Sequence, residues 1–279
     1  MPVRDWPQSA PLPGTIAAAL REVTLRKVHV CSTLRQGRQA QTGTMTRVAT
    51  RRRRRWIGPL ITGIVVFAVL LGAVFGWLGA WNASPFTDLP GKTGSGTRAQ
   101  GYAAVVLSGD MGPRTGLGGE IAERLASHGV ATVAVNSLNY FKVRRTPEQV
   151  TALLSDAIRR AMALGHVGRV VVLGQSFGSD MVHVGLEHLS PDMRRHVALV
   201  VLTVPTQTVF LRVSPLEWLD RTPPDAPAIA SARKLDWLPV VCIHGQDEAD
   251  SLCPLLGPVG PKLRFWSSWR TRRERAGCC

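Results

Sequence analysis

The sequence predicts a doubly wound α/β fold on a parallel sheet, preceded by one transmembrane helix. Three observations predict it. A charge-free run extends from Trp56 to Thr87, behind five consecutive arginines at residues 51–55. Short apolar segments alternate with amphipathic ones between residues 102 and 254. A G-x-S-x-G sequence, Gly174-Gln175-Ser176-Phe177-Gly178, stands where a strand gives way to a helix.

Residues 1–55 are rich in Arg, Gln, Thr and Pro, show no periodicity, and are expected to be a disordered basic region. Met45 followed by T-R-V-A-T and the arginines has the look of a natural start, which would make residues 1–44 an upstream extension. Residues 56–81 form the membrane segment. Its heart from Ile61 to Trp81 supplies the roughly 20 apolar residues that a helix needs to cross a bilayer, with Trp56, Trp77 and Trp81 at its margins. A cleaved signal peptide would have an apolar stretch of only about 7–15 residues and a small-residue cleavage site, so an uncleaved anchor is expected. The arginines place its N-terminal side in the cytoplasm and the remainder in the periplasm, giving a single-pass inner-membrane protein.

Residues 82–100 read as a Gly/Ser/Thr/Pro linker. The domain proper, residues 101–254, opens with an apolar strand at 102–107. A helix at 117–128 follows, then a strand at 130–135. Thr146-Pro147-Glu148 marks a helix start, with an N-cap, a proline at the first position and an acid in the first turn. Further strands fall at 170–173, 197–203 and 238–244, the first of them leading into a helix that ends near Leu189. Strand–helix alternation of this kind makes a parallel sheet with buried central strands.

The charge of +15 is not spread over this domain. Residues 1–56 hold 12 Lys+Arg against 2 acids, residues 257–279 hold 6 against 1, and residues 57–256 balance at 16 each. A neutral folded region argues against nucleic acid as a partner, since a nucleic-acid-binding domain carries a basic face of its own. None of the 5 cysteines lies in a C-x-x-C pair, so neither a metal nor a cofactor is called for.

G-x-S-x-G between strand and helix is the nucleophile elbow of an α/β-hydrolase. It puts Ser176 in a sharp turn at the strand's C-terminal end, with glycines letting strand and helix approach. Ser108-Gly109-Asp110-Met111-Gly112 ends the domain's first strand, where such folds place the second oxyanion donor. The backbone N–H groups of Asp110 and Phe177 are therefore the candidate oxyanion hole. The acid belongs after a later strand, where Asp247, Glu248 and Asp250 stand. Asp250 is favoured because it lies four residues before Pro254, and the other two stay open. No histidine occurs in the 29 residues after Asp250. His244 precedes the acid at a strand end, and His183 and His188 lie on the elbow helix. A serine without its base is a weak nucleophile.

Four motifs in order resemble the bacterial virulence protein VirJ family and the related AcvB proteins over residues 102–254: S-G-D-M-G, V-N-S-L-N-Y-F with R-T-P-E-Q, G-Q-S-F-G-S-D, and C-I-H-G-Q-D-E-A-D-S-L-C-P. The resemblance implies a secreted or periplasmic α/β-hydrolase tied to virulence and type IV secretion, with secretion-system proteins as partners. It implies lipid or acyl esters as substrate, aminoacylated phosphatidylglycerol among them, with Ser176 the nucleophile and Asp250 the acid. Two departures stand out. Met111 replaces a glycine of the family's oxyanion loop, and residues 255–279 form an atypical basic, tryptophan-rich tail where the family continues into a last strand and a histidine-bearing loop. A shifted reading frame or truncation after about Pro254 would account for that tail. The sheet is then expected to be truncated at its C-terminal end, with an open strand edge and poor solubility. The chain as written is expected to be nearly inactive, or to serve as a binding or secretion accessory. In an oxidising periplasm Cys242 and Cys253, which bracket the acid loop, are expected to pair.

Overall fold

The computed structural model describes residues 57–92, 101–213, 223–245, 248–257 and 263–269. The expectations for residues 1–55 and for Asp247 fall outside the described residues. Helix α1 (Ile57–Trp77) is apolar all round. From Pro59 to Trp77 it has a mean hydropathy of 2.4 and no fully buried residue, only Phe75 near its end packing half-buried against Leu78, Ala80 and Leu138. Its 21 residues span about 32 Å at 1.5 Å per residue. It is the one helix among the described residues long and apolar enough to cross a membrane.

Strand β1 (Phe86–Leu89) comes next, within the segment whose composition reads as linker, and pairs antiparallel with β3 (Thr132–Val135). Four residues suffice because an edge strand buries only one face. Phe86 and Leu89 turn inward, while Asp88 accepts both Arg160 Nε–H at 2.5 Å and Arg160 Nη2–H at 2.8 Å.

The rest of the chain supplies β2 (Tyr102–Leu107), α2 (Leu117–Ser127), α3 (Ser137–Tyr140) after β3, α4 (Pro147–Gly165), β4 (Arg169–Gln175), α5 (Phe177–Glu187) and α6 (Pro191–Arg194). Then follow β5 (Val197–Thr203), β6 (Thr208–Val209), β7 (Ala226–Pro227), α7 (Ala228–Ala232), β8 (Val240–Gly245), α8 (Cys253–Leu256) and β9 (Leu263–Trp269). Seven strands form one sheet in the order β1-β3-β2-β4-β5-β8-β9, parallel apart from β1, while β6 and β7 form a separate pair.

Both faces of the sheet are buried, and the period-2 alternation of β2 shows it. Ala103, Val105 and Leu107 join the core under α4 and α5, while Ala104 and Val106 join the core under α2. Helix α4 meets the sheet through Val150, Leu154, Ile158 and Ala161, an i, i+4, i+8, i+11 stripe. It begins where Thr146-Pro147-Glu148 predicts. Thr146 Oγ1 accepts the Gln149 N–H and Gln149 Oε1 accepts the Thr146 N–H, a complete capping box.

The strand order corrects the expectation of an open edge after β8. Strand β9 pairs with β8 in parallel, from Val240 opposite Leu263 to Gly245 opposite Trp269. A ladder asks a strand only for backbone donors and acceptors in register, and L-R-F-W-S-S-W supplies them despite the basic composition around it.

A disulfide joins Cys242 on β8 to Cys253 at the start of α8, with Cα atoms 5.6 Å apart and both residues buried. It closes a loop of about a dozen residues. Chain entropy puts its removal at about 3 kcal/mol. Unfolding of the whole chain in detergent, followed with and without reductant, is expected to show a loss of that size. A Cys242→Ser, Cys253→Ser variant should be insensitive to the reductant.

Candidate active site

The strand order reverses at β2. The chain leaves β2 for β3 on one side and returns to β4 on the other, so the loops after β2 and β4 diverge and open a crevice at their C-terminal ends. Ser176 stands in that crevice as the N-cap of α5, with φ 52° and ψ −126°. A serine held at positive φ costs on the order of 1–3 kcal/mol, and such conformations persist where the surroundings enforce them.

Here two close approaches enforce it. A Cβ on Gly174 would lie 2.5 Å from Ser179 Cα, and one on Gly178 would lie 2.5 Å from the carbonyl oxygens of Leu107 and Ser108. Helix α5 therefore presses directly onto β4 and the end of β2, which only glycine permits. Beneath the turn, Ser176 N–H donates to Thr203 O at 2.8 Å. Ser179 Oγ also donates to Thr203 O, at 2.9 Å, and accepts the Thr203 N–H at 3.0 Å. Thr203 ends β5, so the elbow is fastened to the strand on its far side as well.

The candidate oxyanion loop, residues 108–112, is fixed from two directions. Gln175 Oε1 accepts the Gly109 N–H at 3.1 Å. On the other flank Ser137 donates its N–H to Ser108 Oγ at 3.1 Å and its hydroxyl to Ser108 O at 2.6 Å. Gly112 N–H closes the turn on Gly109 O, and Asp110 Oδ1 accepts the Met111 N–H at 2.9 Å. Since Gly178 touches the carbonyls of Leu107 and Ser108, the fold brings the backbones near Phe177 and Asp110 together. The Phe177 ring packs edge-on against Phe141, 5.1 Å between centroids.

The acid loop lies two strands away from β4, after β8. Glu248 folds back so that its Oε2 accepts the Gly245 N–H at 2.8 Å. Asp250 is exposed, and its carbonyl accepts the Gln207 N–H at 2.9 Å. Asp250 and Ser176 thus share the C-terminal edge of the sheet, and no hydrogen bond joins them. Nor, among the described residues, does an imidazole hydrogen-bond the Ser176 hydroxyl. His183 is buried with Nδ1 2.8 Å from Ser231 Oγ and Nε2 3.7 Å from Asp180 Oδ1. His188 lies at the surface with Nε2 3.3 Å from Glu187. His244 is buried near the C-terminal end of β8.

Two residues escape sequence reasoning. Gln175, which occupies the variable position of the elbow motif, holds the oxyanion loop. Asp180, one turn into α5, is buried and accepts the Thr206 N–H at Oδ1, 3.0 Å away. The single hydroxyl proton of Thr206 faces both Asp180 Oδ2 at 2.9 Å and Thr208 O at 2.7 Å. A carbonyl can only accept, so a protonated Asp180 lets both contacts be hydrogen bonds at once. Burial pushes the Asp180 carboxyl up in the same direction, against the opposing pull of His183 and Thr206. The segment Asp180 grips is bridged to the acid loop, through Thr206 opposite Ser251 and the Leu252 N–H on Pro205 O at 3.0 Å. The one signal in the sequence was an acid inside an otherwise apolar helix face.

A family model described as bacterial virulence protein (VirJ) matches residues 101–261. No curated protein matches in sequence. Among solved structures, DcsB in complex with a substrate analogue is similar at 12% identity, covering 62% of this chain and 83% of that one, with a TM-score of 0.46. A probable hydrolytic enzyme of Pseudomonas aeruginosa is similar at 13% identity, with 67% and 81% covered and a TM-score of 0.44. A monoglyceride lipase of Saccharomyces cerevisiae is similar at 9% identity, with 66% and 82% covered and a TM-score of 0.43.

The Asp180 site has a pH signature. A carboxyl whose folded-state pKa is raised contributes its full stability below the ordinary carboxylate range, and loses it as pH rises through the folded value. Asp180→Asn keeps the uncharged donor–acceptor pair at every pH. The stability of this variant relative to the native chain is expected to grow as pH rises from 4 to 7, measured by denaturant unfolding at each pH. A relative stability that falls over that range would show an ionised Asp180.

Proposed function

The chain belongs to the VirJ family of bacterial virulence proteins, and from that premise we propose that it is a membrane-anchored, periplasmic serine hydrolase of lipid or acyl esters. The observation that carries this is Ser176, held at positive φ between two glycines that no other residue can replace, at the switch point of the sheet. In the reaction Ser176 Oγ attacks the ester carbonyl and gives its proton to a base. The N–H groups of Phe177 and Asp110 receive the charge that develops on the carbonyl oxygen. The alcohol then leaves with the proton, and water hydrolyses the acyl-serine. Asp250 is the proposed acid, and His244, on the same edge of the sheet, is the first candidate for the base. Aminoacylated phosphatidylglycerol is the proposed lipid ester, and the virulence setting suggests secretion-system partners.

One observation favours a second function, an accessory that binds through the hydrolase fold without turnover: His183 and His188 are engaged with Ser231 and Glu187. A fluorophosphonate probe separates the two. If His244 serves as base, the whole chain takes up the label despite the near-inactivity expected from the missing C-terminal histidine, with loss in Ser176→Ala and a fall of at least tenfold in rate in His244→Ala. A chain that takes up no probe while folded is an accessory. Labelling that survives Ser176→Ala would place the nucleophile elsewhere.

Topology is tested separately. The arginines at 51–55 ahead of α1 set the N-terminal side in the cytoplasm. Alkaline phosphatase fused after Gly91 is expected to be active and β-galactosidase at the same point inactive. The reverse pattern would invert the anchor.

A further inference from the structure

Trp77 ends α1, yet the chain beyond it is no loose tether. Arg114 Nη1 donates to Trp77 O at 2.6 Å. Asn136 Nδ2 donates to Leu78 O at 3.1 Å, and Asn139 Nδ2 faces the carbonyls of Gly79, Ala80 and Asn82 at 3.2, 3.1 and 2.8 Å. Lys142 Nζ donates to Ala80 O at 3.0 Å. Leu78 and Ala80 are buried against Leu138. The end of the apolar helix is thereby bolted to the loops that leave the C-terminal ends of β2 and β3. Ser108, whose carbonyl touches the elbow at Gly178, belongs to the first of those loops.

The exposed surface of the domain points the same way. Outside α1 and the turn that follows it, the large apolar side chains exposed among the described residues are Met111, Val143 and Leu255, at 40%, 49% and 44%. They stand after β2, after β3 and on α8 after β8, all at the C-terminal edge of the sheet, and among the residues whose burial is described none lies at the opposite edge. Cations accompany them. The Arg114 guanidinium sits 5.6 Å from the Trp77 ring centroid and the Lys142 ammonium 5.9 Å from that of Trp81. Tryptophan with Lys or Arg at the end of an apolar helix is the composition of a headgroup layer, and cations there are attracted to an anionic lipid surface. Among the described acids of that edge, Asp110, Glu248 and Asp250 lie in the loops of the candidate site, Asp225 is paired with Arg144, and Glu148 is exposed in the first turn of α4.

We infer that the C-terminal edge of the sheet rests on the bilayer that holds α1, so that Ser176 draws an ester-bearing lipid from the leaflet beneath it. This rests on α1 being a membrane anchor. Whatever the tilt of α1, its last residue lies at the membrane surface, and the residues bonded to that turn lie within a side chain's length of it. A substrate esterified on its headgroup then presents the reacting bond at the level of the crevice without leaving the bilayer.

The test uses the whole chain with Cys31, Cys278 and Cys279 changed to Ser, reconstituted in phosphatidylglycerol–phosphatidylethanolamine vesicles. Single cysteines carry an environment-sensitive fluorophore, and a nitroxide on the upper acyl chain of the lipid is the quencher. Met111→Cys and Val143→Cys probe the proposed face. Ala163→Cys, near the C-terminal end of α4 at the opposite edge of the sheet, is the control, and Phe67→Cys reports insertion of α1. Quenching at 111 and 143 is expected to exceed that at 163 at least threefold, with 67 quenched as well. Quenching at 67 while 111 and 143 match 163 overturns the orientation and leaves the anchor standing. No quenching at 67 overturns the anchor and the orientation together.

Discussion

Everything in the candidate site follows from how closely α5 lies against the strands that support it. Gly174 on β4 lets the strand approach Ser179 Cα of the helix, and Gly178 lets the helix approach the carbonyls of Leu107 and Ser108. At that distance the turn between β4 and α5 has no slack, and Ser176 takes up the positive φ that the geometry requires. The same approach places Gln175 where its side chain can hold Gly109, and aims Asp180 at the segment after β5. A methyl group at either glycine would separate all three.

From Asp180 a chain of hydrogen bonds runs outward. Thr206 links α5 to Ser251, Pro205 holds Leu252, and Gln207 holds the carbonyl of Asp250. Val204 begins the segment at φ 55°, an unusual conformation for a β-branched residue, with its N–H on Ile243 O at 2.7 Å. The disulfide ties the other end of the acid loop to β8. The backbone of that loop is therefore defined at several points while the Asp250 carboxylate itself faces solvent.

Much of this architecture was legible because its signals are local. The Thr146-Pro147-Glu148 start, the apolar strands and the elbow each declare themselves within a few residues, since capping, burial on both faces and close helix–strand packing constrain neighbours in sequence. What escaped depends on distant partners. Strand β1 is four residues whose pairing requires β3, and β9 is recognisable only beside β8. Asp180 gains its meaning from Thr206, and Asn139 from the turn after α1, and neither pairing leaves a mark in the residues between. The absence of a histidine after Asp250 is equally plain in the sequence, whereas the engagement of His183 with Ser231 and of His188 with Glu187 shows only in the fold.

The order of the strands bears on how the protein is made. After β3, each strand that arrives, β4, then β5, β8 and β9, joins the outer side of the one most recently added to that flank. A chain made from its N-terminus can extend its sheet continuously, because the partner of each new strand is already in place. Apart from β1, which must wait for β3, no strand has to be held unpaired for a partner still to come beyond the next one. The fold is thus laid down outward from β2, and the exposed edge moves along with synthesis.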